Sequence, residues 1–328
     1  MQLIYVEQHL REHPRVAAIL NRFSNKTVIE CDHYNEVFNR KNQHFRQQKN
    51  QPALILAEKK GRKVLPTPEN FGPDSHQNFY FSHLLNCPFD CRYCFLQGLY
   101  RSANYVLFVN YEDFFHEIEE TIQATNKPCM FFSGYDADSL AYDPITGFVD
   151  AFVPFFQQRP NATLELRSKS ANIKPLLRHA ATDNVILAAS LTPEPISTAI
   201  EHKVPALSKR LRALQQAAQH GYRIGLRLDP LIDCVDFATL YTDLIKQIQA
   251  HLEPEQLHSV SVGPLRFPKK MFAHMLKMHP QDTLLNQRFE LHDGNVSYSP
   301  DRQKAMDSLI RQLLADLTTS DNIFSCVS

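Results

Sequence analysis

Phe79-Tyr80-Phe81-Ser82-His83-Leu84-Leu85-Asn86-Cys87-Pro88-Phe89-Asp90-Cys91-Arg92-Tyr93-Cys94-Phe95 is the stretch on which the reading of this chain turns. Its first seven residues are apolar and aromatic enough for a buried strand. The cysteines then sit on the loop leaving that strand, spaced Cys-x3-Cys-x2-Cys. Thiolates bind iron–sulfur clusters and zinc. A four-iron cluster held by three thiolates keeps one iron open to chelate a small molecule, as an open metal position does in a catalytic site. Tyr93, just before the third cysteine, is placed to pack against such a ligand. The competing readings are three unrelated thiols, or a zinc site, which needs a fourth ligand where no second cysteine pair appears.

Composition sets the frame. The 328 residues allow one large domain, or one large and one small. A hydrophobic fraction of 43% suffices for a full core. Formal net charge is zero, so any nucleic-acid site has to be a local patch. Seven cysteines, three of them within eight residues, form a metal pattern rather than a disulfide framework and suit a reducing compartment. The N-terminal residues lack a basic region followed by a long apolar stretch, and no apolar run approaches membrane-spanning length. A cytoplasmic protein without membrane contact is expected.

Residues 1–75 read as a small α/β unit, with strands at 3–6, 27–31 and 52–57 and a helix at 15–23. The polar and basic segment 39–49 reads as a solvated loop or as a patch for a polyanion. Residues 59–63 form a basic turn, and the prolines of 66–74 suggest a linker. From Phe79 to the C-terminus, strands and helices alternate. Strands fall at 79–85, 128–133, 163–169, 185–191, 222–229 and 257–263. Helices fall at 112–123, 144–157, 173–180, 205–220, 237–251, 269–277 and 301–316. This alternation implies a parallel sheet with right-handed crossovers. The expected fold is α/β: a partial (β/α)6 barrel over residues 76–328, closed by a C-terminal hairpin and helix, with the α/β unit of residues 1–75 before it.

Strand phase locates the interior. Leu164 and Leu166 share one face of the third strand, so Glu165, Arg167 and Lys169 point inward. Arg223, Gly225, Arg227 and Asp229 share a face of the fifth. Charges inside a barrel are expensive unless paired or used, so a polar cavity is expected there. Functional groups in such folds sit at the C-terminal ends of strands. The cysteine loop, Ser133-Gly134, Lys169, Ser190 and Asp229 all lie at such ends.

The cysteine spacing with Tyr93 resembles the signature of the radical S-adenosylmethionine (SAM) superfamily. Further segments resemble one of its families, the spore photoproduct lyases, and most of all the lyase-like relatives outside spore formers. They are Phe95-Leu96-Gln97, Asp138-Ser139-Leu140, Pro144-Ile145-Thr146-Gly147, Leu166-Arg167-Ser168-Lys169-Ser170, His220-Gly221-Tyr222-Arg223-Ile224-Gly225 and Gly263-Pro264-Leu265-Arg266-Phe267-Pro268. The resemblance implies a [4Fe-4S] cluster on Cys87, Cys91 and Cys94. It implies SAM surrounded by Tyr93, Ser133, Gly134, Lys169 and Ser190, with Lys169 meeting the cofactor's carboxylate. It implies a 5′-deoxyadenosyl radical used to repair a thymine photolesion in DNA, and a reductant such as flavodoxin or ferredoxin. Arg266, Tyr298 and Arg302 would touch the substrate, the last two in the stretch matching a short inserted turn.

One position departs from the family. The lyases carry a cysteine at the end of the second strand that returns a hydrogen atom to the product radical. Ser133 stands there, and a serine O–H bond is too strong to serve. Cys234, Cys326, Tyr298 and Tyr135 are the replacements the sequence offers. Two other functions remain open on residues alone: a radical SAM enzyme for a modified nucleotide or a metabolite, and a nucleic-acid-binding protein with a structural metal.

Overall fold

The computed structural model describes residues 2–23, 25–68, 71–73 and 75–325. Six parallel strands follow one another around a curled sheet: Gln77–Phe81, Cys129–Phe132, Ala162–Ser168, Val185–Ser190, Arg223–Leu231 and Leu257–Pro264. These are the six strands expected, in sequential order, and they form the partial barrel. Ile323–Ser325 adds in parallel to the sixth strand, and Val64–Pro66 pairs antiparallel with the first. Every residue of Val185–Ser190 is buried, as expected where helices or the interior cover both faces of a parallel strand.

A second sheet is built on the N-terminal residues. Its order is Thr27–Cys31, Leu3–Glu7, Leu54–Ala57, Tyr105–Phe108, Leu84–Leu85. The run at 79–85, expected as one strand, is therefore two. It breaks at Ser82-His83, and its second half joins the N-terminal sheet. The two sheets are sewn together just before the cysteine loop, and one apolar core runs through both.

The helices follow their apolar stripes. Leu207–Gln219 buries Leu207, Leu211, Leu214 and Ala218, the spacing of one helical face. It stops before Gly221, whose φ of +105° favours glycine. The helix expected at 144–157 is broken at Gly147, φ +60°, into Asp143–Thr146 and Phe148–Gln157. Glu194–Ile200 is a helix the sequence reading missed. No described helix is long and apolar enough to cross a membrane.

Candidate active site

Inside the barrel the inward charges meet one another. Glu165 is fully buried and accepts from Arg227 through Nη2 at 2.7 Å and Nε at 3.2 Å, and from Arg167 Nε at 2.9 Å. Arg227 also donates to the Ser259 hydroxyl and carbonyl. Gly225 makes the room: a Cβ there would lie 2.7 Å from Arg227 Nη2. Burial pushes the Glu165 carboxyl up, but Arg227 and Arg167 outweigh it and hold it down at about 2. The expected polar cavity is, at this level, a filled plug of paired charge.

The strand ends above the plug carry the candidate site. Asp138, on the loop after the second strand, accepts from Ser168 Oγ, Lys169 N, Leu140 N and Ala141 N at 2.7–3.0 Å. It thereby fixes the backbone at Lys169. Ser133 Oγ shares a hydrogen bond with Ser139 Oγ at 2.8 Å and donates to the Glu165 carbonyl at 2.9 Å. Gly134 is required by close approach, since a Cβ would lie 2.8 Å from the Arg167 carbonyl oxygen. Ser190 accepts at its carbonyl from Arg210 Nη1 at 3.0 Å.

The residue that ties these parts together is one the sequence reading missed. Glu201 is buried, and its carboxylate accepts from Lys169 Nζ at 3.0 Å, Thr192 Oγ1 at 3.1 Å and Ser197 Oγ at 2.6 Å. The Tyr93 hydroxyl also donates to it, and Arg210 Nη2 lies 3.5 Å away. Burial pushes this carboxyl up too, but Lys169 and Arg210, with the Ser197 and Tyr93 hydrogen bonds, hold it down at about 2. Its backbone pairs antiparallel with Cys91, and Arg92 N donates to the Ile200 carbonyl at 2.8 Å.

The cysteine loop is braced from the N-terminal side as well. Arg46 forks onto Asp90 at 2.6 and 2.9 Å, and the buried Lys49 donates to the Cys87 carbonyl at 2.5 Å. Gln97 donates to the Cys91 carbonyl. The segment 39–49, expected as a solvated loop or a polyanion patch, thus turns two of its cations inward. Arg40 and Lys41 remain exposed.

These residues fit a three-thiolate cluster. Cys91 is buried, Cys87 and Cys94 are half-buried, and all three are free thiols. Cys87 and Cys91 both feel the charge of Cys94, and burial pushes all three thiols up. Among the described residues no three of His, Cys, Asp and Glu converge tightly enough for a single metal ion. Lys49 and Lys169 add positive charge near the thiols.

The remaining predicted residues lie apart from Glu201's partners. Tyr298 and Arg302 meet Asp233, after the fifth strand: Asp233 N donates to Tyr298 Oη at 2.9 Å, and Arg302 Nη2 pairs with the carboxylate at 2.5 Å. Cys234 lines a cavity of about 420 Å³ with them and with Gln287 and Arg288. Arg266 follows the sixth strand, 3.9 Å from Asp229, and its Nη1 is buried without a hydrogen-bond partner. Tyr135 stacks on Tyr80 at 4.2 Å and packs on Phe95. Cys326 lies outside the described residues.

The family model for spore photoproduct lyase matches residues 1–293. The chain belongs to the spore photoproduct lyase family. Solved structures agree on the fold. A double variant of spore photoproduct lyase with bound AdoMet and dinucleoside spore photoproduct superposes with a TM-score of 0.85 at 17% identity, covering 99% of this chain and 97% of that one. Spore photoproduct lyase complexed with the dinucleoside photoproduct gives 0.84 at 17%, with the same coverage. The Streptococcus suis protein SuiB bound to its precursor peptide SuiA is similar over 75% of this chain and 48% of its own, at a TM-score of 0.52 and 9% identity. None of the curated proteins matches this chain.

Proposed function

We propose that this member of the spore photoproduct lyase family is a radical SAM lyase that repairs a thymine photolesion in DNA. The observation that carries the reading is the convergence of the three free thiols with Tyr93 and Lys169, joined through Glu201, at one end of a six-stranded partial barrel. Cys87, Cys91 and Cys94 would hold a [4Fe-4S] cluster, and Tyr93, Ser133, Gly134, Lys169 and Ser190 would surround SAM. When bound and reduced, the cluster and SAM supply a 5′-deoxyadenosyl radical.

The chain's own residues do the placing. Asp138 fixes the backbone at Lys169, whose ammonium is positioned to meet a carboxylate. Tyr93 is held through its hydroxyl, leaving its ring beside the thiols. Arg266, whose buried Nη1 makes no hydrogen bond and lies 3.9 Å from the Asp229 carboxylate, is suited to an anionic group such as a phosphate. Tyr298, Arg302 and Cys234 share the cavity after the fifth strand, where an extruded lesion would be read. Extrusion costs least for a damaged pair. Ser133 has both its hydrogen bonds inside the protein and takes no part in hydrogen return; Cys234 or Tyr298 supplies that atom.

The test is an anaerobic assay of the reconstituted, reduced enzyme on DNA containing the methylene-bridged thymine dimer, following 5′-deoxyadenosine and restored thymine. Repair is expected. Cys234→Ala or Tyr298→Phe should leave SAM cleavage intact and divert the product radical into by-products. SAM cleavage with no thymine restored would move the substrate to a modified nucleotide or a metabolite.

A further inference from the structure

We infer that Glu201 is a positioning residue for SAM: it sets Tyr93 and Lys169 in register with the cysteine loop and leaves a single free positive charge for the cofactor's carboxylate. The inference rests on the reading of Tyr93 and Lys169 as cofactor contacts.

The donors to Glu201 come from four separate places. Tyr93 lies in the cysteine loop and Lys169 beyond the third strand. Thr192 and Ser197 follow the fourth strand, and Arg210 lies in the helix Leu207–Gln219. A carboxylate with no exposed side-chain surface and donors so dispersed fixes their relative positions. Its backbone adds a further tie, the antiparallel pairing with Cys91. Moving Glu201 therefore moves a cluster ligand, the ring beside it and the lysine together.

Charge gives the second half of the argument. One carboxylate faces two cations, Lys169 and Arg210, so the group carries a net +1. Arg210 is 1% exposed at its side chain, and its terminal nitrogens are spent on the Ser190 carbonyl, Ser197 Oγ and Glu201. Lys169 is 14% exposed. An ammonium has three donors and no acceptor. Glu201 takes one of them, which leaves the partly exposed Lys169 with donors to spare. The ligand this arrangement selects is an amino-acid carboxylate lying over the third and fourth strand ends.

The experiment compares Glu201→Gln with Glu165→Gln, the other buried carboxylate, in the anaerobically reconstituted full chain. Three quantities are read: iron per chain, SAM affinity by equilibrium dialysis, and the change in the electron paramagnetic resonance spectrum of the reduced cluster when SAM is added. Glu201→Gln should keep about four irons, bind SAM at least tenfold more weakly and lose the spectral change. Glu165→Gln should lower the melting temperature and leave SAM affinity within twofold of wild type. Glu201→Asp, which keeps the charge but draws it back by one methylene, should also weaken SAM binding and serves if Glu201→Gln does not fold. A loaded Glu201 variant that binds SAM like wild type overturns the inference alone. A wild-type chain that loads its cluster but takes no SAM overturns the cofactor reading, and this inference with it.

Discussion

Two buried carboxylates, Glu165 and Glu201, face the same charge problem and solve it with different neighbours. Each meets two cations and is held at about 2. Glu165 draws its cations from two strands of the barrel wall, and one of them, Arg227, is spent entirely on interior partners. Glu201 draws its donors from four segments at the barrel's mouth, and one of its cations, Lys169, still reaches solvent. The same one-to-two arrangement makes a plug in the first case and a mounting in the second. The difference lies in where the donors come from, two strands of the barrel wall against four segments of its mouth, since Arg167 and Lys169 both keep some side-chain exposure, 18% and 14%.

The largest effect expected is on the plug. Arg227→Ala leaves Glu165 with Arg167 alone, and breaking a buried pair costs about 3–5 kcal/mol. Urea unfolding should show that loss, while SAM affinity of the folded fraction stays unchanged. A selective loss of SAM binding would erase the distinction between the two clusters.

Acid separates both clusters from a third buried group. His83 stacks on Phe148 at 3.9 Å, its Nδ1 has no hydrogen-bond partner, and burial pushes it down to about 3. The ordinary value of 6.5 applies to the unfolded chain, so protonation favours unfolding. Its contribution is whole above pH 6.5 and is lost as pH falls toward 3, by up to about 1.4 kcal/mol per pH unit. His258 and His279, both pushed down to about 4 by burial first of all, act in the same window. His83→Leu should flatten part of this slope. The two carboxylates have depressed values, so their contribution is whole above about 4.5 and is lost only as pH falls from there toward 2. A slope unchanged in His83→Leu would show that His83 is not held neutral.

How far the sequence could be read follows the same division. The inward charges were legible, because period-2 alternation over 163–169 and 223–229 puts Glu165 and Arg227 on inward faces, but the reading expected a cavity and not that they close on one another as a plug. The cysteine loop was legible from its spacing. Glu201 was not, since its donors are spread from residue 93 to residue 210 and no local pattern joins them. Arg210 did leave a trace: it sits three residues after Leu207 and four before Leu214, inside the apolar stripe of its helix. The helix Glu194–Ile200 was hidden by Pro193-Glu194-Pro195, which reads as a turn, although proline is tolerated in a helix's first turn. Nor does composition say which cations of 39–49 turn inward; that depends on Asp90 and the Cys87 carbonyl lying across from Arg46 and Lys49.

On the mounting the expected effects are smaller in energy and specific to the ligand. Lys169→Ala should keep the cluster and weaken SAM tenfold or more, about 1.4 kcal/mol, measured by equilibrium dialysis. Unchanged affinity would remove Lys169 from the site.

The most direct measurement is 5′-deoxyadenosine formed from SAM by the anaerobically reconstituted, dithionite-reduced chain, with iron and sulfide counted in the same sample. About four irons and four sulfides per chain, with steady 5′-deoxyadenosine that disappears in Cys91→Ala, is the predicted result. Stoichiometric zinc in place of iron, or a loaded cluster that leaves SAM intact, would contradict it.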